Sequence, residues 1–248
     1  MVLVARAKKI AWILILTVLF ITVSSLAARF IMYMWGAEGF LKPVTLFDVG
    51  AESNIPTWYS SFTLLLCSVL LAMITLAKKW RGDRYTLHWG VLSAIFLLLS
   101  IDEVASLHEA TGQELQLLVH ELTGFTPGGI VSFFWVVPGS VFVLVVLLAY
   151  LGFVAHLPRD TRRLFVLAGA LFVFGALGLE MLSAQVVSSY GLENWENVGG
   201  MPKIVVGLQT SVEEMLEMLG VVTFIYALLS YMSSYVEEVT VKVRTKDK

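Results

Sequence analysis

Residues 58–77 read WYSSFTLLLCSVLLAMITLA, an uncharged run whose only polar groups are hydroxyls and one thiol. A hydrocarbon core about 30 Å thick is crossed by about 20 apolar residues in helical form, and this run has that length. Lys78-Lys79-Trp80-Arg81-Gly82-Asp83-Arg84 follows at once, and a second apolar run opens at Tyr85. Span, short basic turn, span is the pattern of a polytopic membrane protein.

The pattern recurs along the chain. Six stretches are long and apolar enough to span: Ile10–Trp35, Trp58–Ala77, Tyr85–Leu107, Ile130–Ala155, Leu164–Val187 and Ile204–Tyr235. They are too long for strands and lack the alternation of an outer-membrane barrel. Composition agrees: 58% of the 248 residues are hydrophobic and 15% charged, against roughly a quarter charged in soluble domains. A water-soluble enzyme is thereby excluded. The single cysteine, Cys67, excludes a disulfide scaffold and reads as a small core residue. The net charge of -2 argues against a nucleic-acid partner and leaves the lipid bilayer. The expected fold is all-α, one six-span transmembrane domain over residues 1–248 without internal repeats. The first span reads as an uncleaved anchor, because its apolar run continues past the signal-like Ser25-Leu26-Ala27.

Charge predicts orientation. Arg6, Lys8 and Lys9 precede span one, and Lys78, Lys79, Arg81 and Arg84 separate spans two and three. Arg159, Arg162 and Arg163 separate spans four and five, and Lys242, Arg244, Lys246 and Lys248 follow span six. All fall on one side of a six-span topology, and the positive-inside rule makes that side, with both termini, cytoplasmic in the cell membrane. Only Arg29, Lys42 and Lys203 of the 17 basic residues lie elsewhere. Most acids lie on the other side, an excess that the positive-inside rule does not explain.

Those acids form the candidate site. At 1.5 Å rise per residue, Asp102 stands about 27 Å above the basic boundary, Glu180 about 26 Å, and Glu217 and Arg29 about 30 Å. Asp102, Glu103, Ser106 and Glu109 share one helical sector, while His108 points away and joins them only if the helix ends there. Gln209, Thr210, Glu213, Glu214 and Glu217 form a polar stripe continued by Gly220. Gly169, Ala176, Glu180 and Ser183 share a face whose small residues permit close helix approach. The loop Gly36–Thr57 adds Glu52 and Asn54, with Glu109 also in support. Carboxylates inside a span are costly and call for a site, a pathway or compensating bonds. Three readings stay open: a divalent metal ion as cofactor, protons held by the carboxyls, or structural hydrogen bonding in an accessory or scaffold protein. His108 is the one histidine well placed for a metal, and no Glu-x-x-His or paired-His spacing accompanies it. Arg29 is expected to point inward onto one of the carboxylates, and Glu180 to contact Asp102 or Glu103. No motif assigns an enzymatic reaction.

Three smaller expectations complete the reading. Trp135-Val136-Val137-Pro138-Gly139 predicts a kink in span four. Trp12, Trp58, Trp80, Trp89 and Tyr85 read as interface anchors. Gln113–His120 suits a short helix lying at the interface.

The segments Asn54–Ser61, Ser100–Glu103 with Leu107–Glu109, Gly178–Leu182 and Val212–Gly220 resemble a family of uncharacterised bacterial multi-pass membrane proteins, over about Phe47 to Tyr235. The resemblance implies a fold and a bacterial source but no reaction. It is distinct from the ceramidase-like membrane hydrolases, which need several metal-binding histidines within their spans.

Overall fold

A computed structural model describes residues 6–35, 45–125, 134–189 and 201–235. The elements are helices: α1 (Ala7–Trp35), α2 (Ile55–Trp80), α3 (Thr86–Ala105), α4 (Leu107–Thr123), α5 (Val136–His156), α6 (Arg159–Val173), a π-helical turn (Phe174–Leu179), α7 (Glu180–Ser189) and α8 (Met201–Tyr235). With α6, the π turn and α7 running as one rod, six helical segments are long and apolar enough to cross a membrane. The expected all-α bundle is therefore present, and the protein is multi-pass.

Helix α8 is the central helix. Half of its spanning window is buried inside the protein, against 17% for α5. It packs on α1, α2, α6 and the π turn, while α2 lies along α3. Val141, Leu144, Leu148 and Leu151 of α5 are exposed, and in a membrane that surface meets acyl chains. The core runs between α2, α6 and α8 through Leu71, Ile74, Phe165, Ile225 and Leu228.

Two devices bring helices close. Between α2 and α3, Ser61 and Ser100 each donate a hydroxyl to the other's backbone carbonyl at 2.8 Å. One heptad away, Ser68 and Ser93 do the same, again at 2.8 Å. Small hydroxyl residues at seven-residue spacing on antiparallel helices make a polar seam where water is absent. Between α6 and α8 the device is a glycine. A Cβ on Gly220 would lie 2.8 Å from the Phe172 backbone nitrogen and 2.9 Å from the Ala168 carbonyl oxygen, so only hydrogen fits.

Some expectations are corrected. Helix α5 starts at Val136, which puts Pro138 in its first turn, where no hydrogen bond is lost, so the proline caps rather than kinks. The expected start of span four at Ile130 lies outside the described residues, as do the side chains of Lys42 and Lys203 and the basic tail. Trp89 is not an anchor: it is 1% exposed and packs edge-on to Phe153 and Phe165. Trp12, Trp58 and Trp80 are each exposed over more than half their surface, as anchors should be. Cys67 is fully buried. The short helix expected over Gln113–His120 is present and longer, as α4.

Candidate functional site

The acidic end of the bundle is assembled by three backbone irregularities. The first is the break between α3 and α4. Ser106 adopts a left-handed conformation at φ 48° and φ/ψ repetition stops there. That turn swings His108 back over Asp102. One Asp102 oxygen accepts the His108 backbone N–H at 2.8 Å, and the other faces His108 Nδ1 at 2.8 Å. Asp102 thus serves as the anionic cap of α4, a task the Ser106 side chain leaves undone. The condition set by the sequence for His108 to join the carboxylates is met. Burial disfavours its charged form, but the Asp102 hydrogen bond and charge win, so the imidazole is held above its ordinary pKa. Glu109 is raised as well, first by desolvation and then by the Glu52 and Glu180 charges, with His108 opposing.

The second irregularity is the π turn. An extra residue per turn rotates everything beyond it, so the face predicted at 100° per residue does not continue through it. Gly169 has open space beside it, while Gly175, inside the turn, packs against the Glu213 carbonyl and the Glu217 side chain. The Gln209 amide donates to the Leu179 carbonyl at 3.1 Å, at the end of the turn. Glu180 follows immediately. It accepts the Trp135 indole N–H at 3.3 Å, and the Glu213 side chain lies beside it. Asp102 and Glu103 were its expected contacts; the π rotation turns it to Trp135 and Glu213 instead.

The third is the loop before α2. Arg29 of α1 places Nε and Nη2 each 2.7 Å from one oxygen of Asp48. Its expected partners within the spans are therefore incorrect, because the loop folds back and supplies a nearer carboxylate. The guanidinium threads between Gly50 and Gly207, where side chains would collide with it. The loop is pinned further by the Val49 N–H on the buried Ser25 hydroxyl at 3.0 Å. Asn54 caps α2 by accepting the Thr57 N–H and donates to the Asp48 and Ala51 carbonyls. It holds the loop rather than a ligand. Glu52 is exposed and acts on Glu103 and Glu109 only through its charge.

Beneath this cover, Glu103, Glu214 and Glu217 line one small cavity with Ser60 and Thr63, with room for about one water. Glu213 is 7% exposed on the neighbouring face of α8. The layer thus comprises a Glu180–Glu213 pair, a Glu103–Glu214–Glu217 pocket and the Asp102–His108 pair at the rim. Sequence reasoning missed Asp48 and the indole of Trp135. Both lie outside regular helix, where spacing carries no signal. Among the described residues, no three His, Cys, Asp or Glu side chains converge as a metal ion requires.

An all-helical bundle with an acidic end beneath a pinned loop defines the class, a multi-pass helical membrane protein. Within it, residues 7–232 match a family described as a domain of unknown function (DUF8692), and the chain belongs to that family. No curated protein and no solved structure matches the chain.

Proposed function

We propose that this protein binds protons in its acidic layer and exchanges them at the rim through His108 and Asp102. The observation that carries the reading is the small cavity that Glu103, Glu214 and Glu217 share, with room for about one water. Ionised carboxylates are only acceptors and cannot satisfy one another, so this arrangement supports carboxyls that hold protons. Like charges within a membrane span would otherwise repel in a medium that screens them poorly. Arg29, whose charge acts on Glu214, is engaged by Asp48. Among the described residues no three His, Cys, Asp or Glu side chains converge as ligands for a divalent metal, which favours protons over the metal alternative. The basic turns support, by the positive-inside rule, a cytoplasmic position in the cell membrane for the other end and both termini, with the acidic layer facing outward.

Proteoliposomes holding a pH-sensitive dye test the reading. An external acid step should produce faster acidification with the parent protein than with Glu180→Gln or Glu213→Gln. Equal rates in all three would leave the layer as a structural seam between helices. Purified protein carrying a stoichiometric divalent metal that Glu217→Gln removes would replace protons by a cation.

A further inference from the structure

The opposite end of the bundle holds a cleft of about 210 Å³ lined by Lys78, Asp83, Tyr85, His156 and Tyr231 over a floor of Trp89 and Phe153. We propose that this cleft binds a phosphate-bearing anion, either the headgroup of an anionic phospholipid or free phosphate.

Charge accounting comes first. Lys78 Nζ lies 3.0 Å from one Asp83 oxygen, and the Tyr85 backbone N–H donates to the other at 2.8 Å. Both Asp83 oxygens are thus engaged, and its charge is balanced by Lys78. Lys78 also lies 5.5 Å from the Tyr231 ring centre. An ammonium has three donors, and Asp83 takes one of them. Arg84 brings a second full positive charge, stacked 4.5 Å from the Tyr85 ring centre and donating to its hydroxyl at 2.8 Å. His156 stands against the same ring at 5.0 Å. Arg84 stands outside the lining but against its Tyr85, so the cleft and its edge hold two full positive charges, Lys78 and Arg84, against the one acid Asp83. The cleft selects an anion rich in acceptor oxygens.

Position and size narrow the choice. The cleft opens where α2 ends at Trp80 and α3 begins at Thr86, beside the turn joining α5 to α6. This is the headgroup level of the bilayer, and basic pockets between helices at this level suit lipid phosphates. Its volume is below the roughly 300 Å³ of sites for drug-sized ligands, so it takes a headgroup and not an acyl chain. The floor is fixed: Trp89 and Phe153 are each 1% exposed, and their rings meet at 4.9 Å. The Tyr85 hydroxyl is held by the Gly152 carbonyl at 3.1 Å, so the wall that carries Arg84 is pre-arranged.

The experiment uses the purified full chain in a neutral detergent. Its thermal unfolding midpoint is followed against short-chain phosphatidylglycerol, short-chain phosphatidylcholine and inorganic phosphate. The parent should be stabilised in a saturable way by phosphatidylglycerol and little by phosphatidylcholine. A response to lipid alone assigns the headgroup, and an equal response to inorganic phosphate assigns the free anion. Arg84→Gln and Lys78→Gln should each weaken the response about tenfold, the loss of one charge-assisted contact. Arg84→Gln at the exposed edge carries the test should Lys78→Gln fail to fold. Arg163→Gln, an exposed charge at the same end outside the cleft, should leave it unchanged. No response to any phosphate, an equal response to phosphatidylcholine, or an equal loss in Arg163→Gln would overturn the assignment.

Discussion

His108 Nδ1 stands 2.8 Å from Asp102 Oδ2 across the left-handed turn at Ser106. Asp102 therefore ends one helix through its backbone carbonyl, which accepts the Ser106 N–H at 2.7 Å, while its carboxylate starts the next and fixes the imidazole. The folded pKa of His108 lies above its ordinary value, the Asp102 bond and charge outweighing burial. The linked stability is fully present below the unfolded-state value, about 6.5, and is lost as pH rises through the raised folded value. Both side chains are about a third exposed, so the contribution is at most about 1 kcal/mol. Thermal unfolding in detergent should show a decline above neutral pH that Asp102→Asn removes. A parent curve flat through that range would count against the pair.

The Arg29–Asp48 pair should anchor the loop that covers the acidic end. The two side chains are 24% and 18% exposed and share one carboxylate oxygen with the Gly50 N–H. Arg29→Ala should cost about 1.5–3 kcal/mol, the range for hydrogen bonds to charged groups. Asp48→Ala should cost a similar amount, and the double variant little more than either. Additive losses in that cycle would mean that the two residues act separately.

The serine seam between α2 and α3 predicts a small effect and a large one. Ser68→Ala removes one hydroxyl, and hydrogen bonds between membrane helices average about 0.6 kcal/mol. Ser68→Leu must instead push α3 away, since Ser93 sits directly opposite, and should reduce the folded yield in detergent sharply. Tolerance of leucine would show that the helices are not held at this separation.

How far the chain could be read in advance follows from the period of its backbone. On the regular helix α8, spacing grouped Glu214 with Glu217, and the two line one cavity. Errors cluster where the period changes. The π turn at Phe174–Leu179 rotated Glu180 away from its expected partners and made Gly175, not Gly169, the contact glycine. The loop turn at Ser53, φ 56°, folded Asp48 onto Arg29, a pairing without any sequence period. The serine seam was legible as Ser61, Ser68, Ser93 and Ser100 at heptad spacing, but hydroxyls in an apolar run resemble ordinary span residues until the partner helix is known.

Two glycines of the same rod-and-core contact should respond in opposite ways. Gly220→Ala pushes a methyl group against backbone atoms of α6 that cannot swing aside, and overpacking of this kind costs about 1–3 kcal/mol. Gly169→Ala meets nothing within 4 Å and should stabilise α6 by up to about 1 kcal/mol through helix propensity. Unfolding midpoints of the two variants should move apart, and equal shifts would contradict the packing described.

Glu213 offers the closest test of a shared proton. It is 7% exposed and lies beside Glu180, and a bond between the two carboxyls needs a donor on one side. Glutamine keeps the shape and supplies an N–H, so Glu213→Gln should leave the unfolding midpoint near that of the parent. Alanine supplies none and strands the Glu180 carboxyl, at a cost of about 1–3 kcal/mol for an unsatisfied buried group. Infrared spectra should show a protonated-carboxyl C=O band in the parent that weakens in Glu213→Gln, because the amide replaces the proton that the pair had held. If glutamine destabilised as much as alanine, the two carboxyls would be neighbours by packing alone, and proton sharing would no longer account for a pair of acids inside a span.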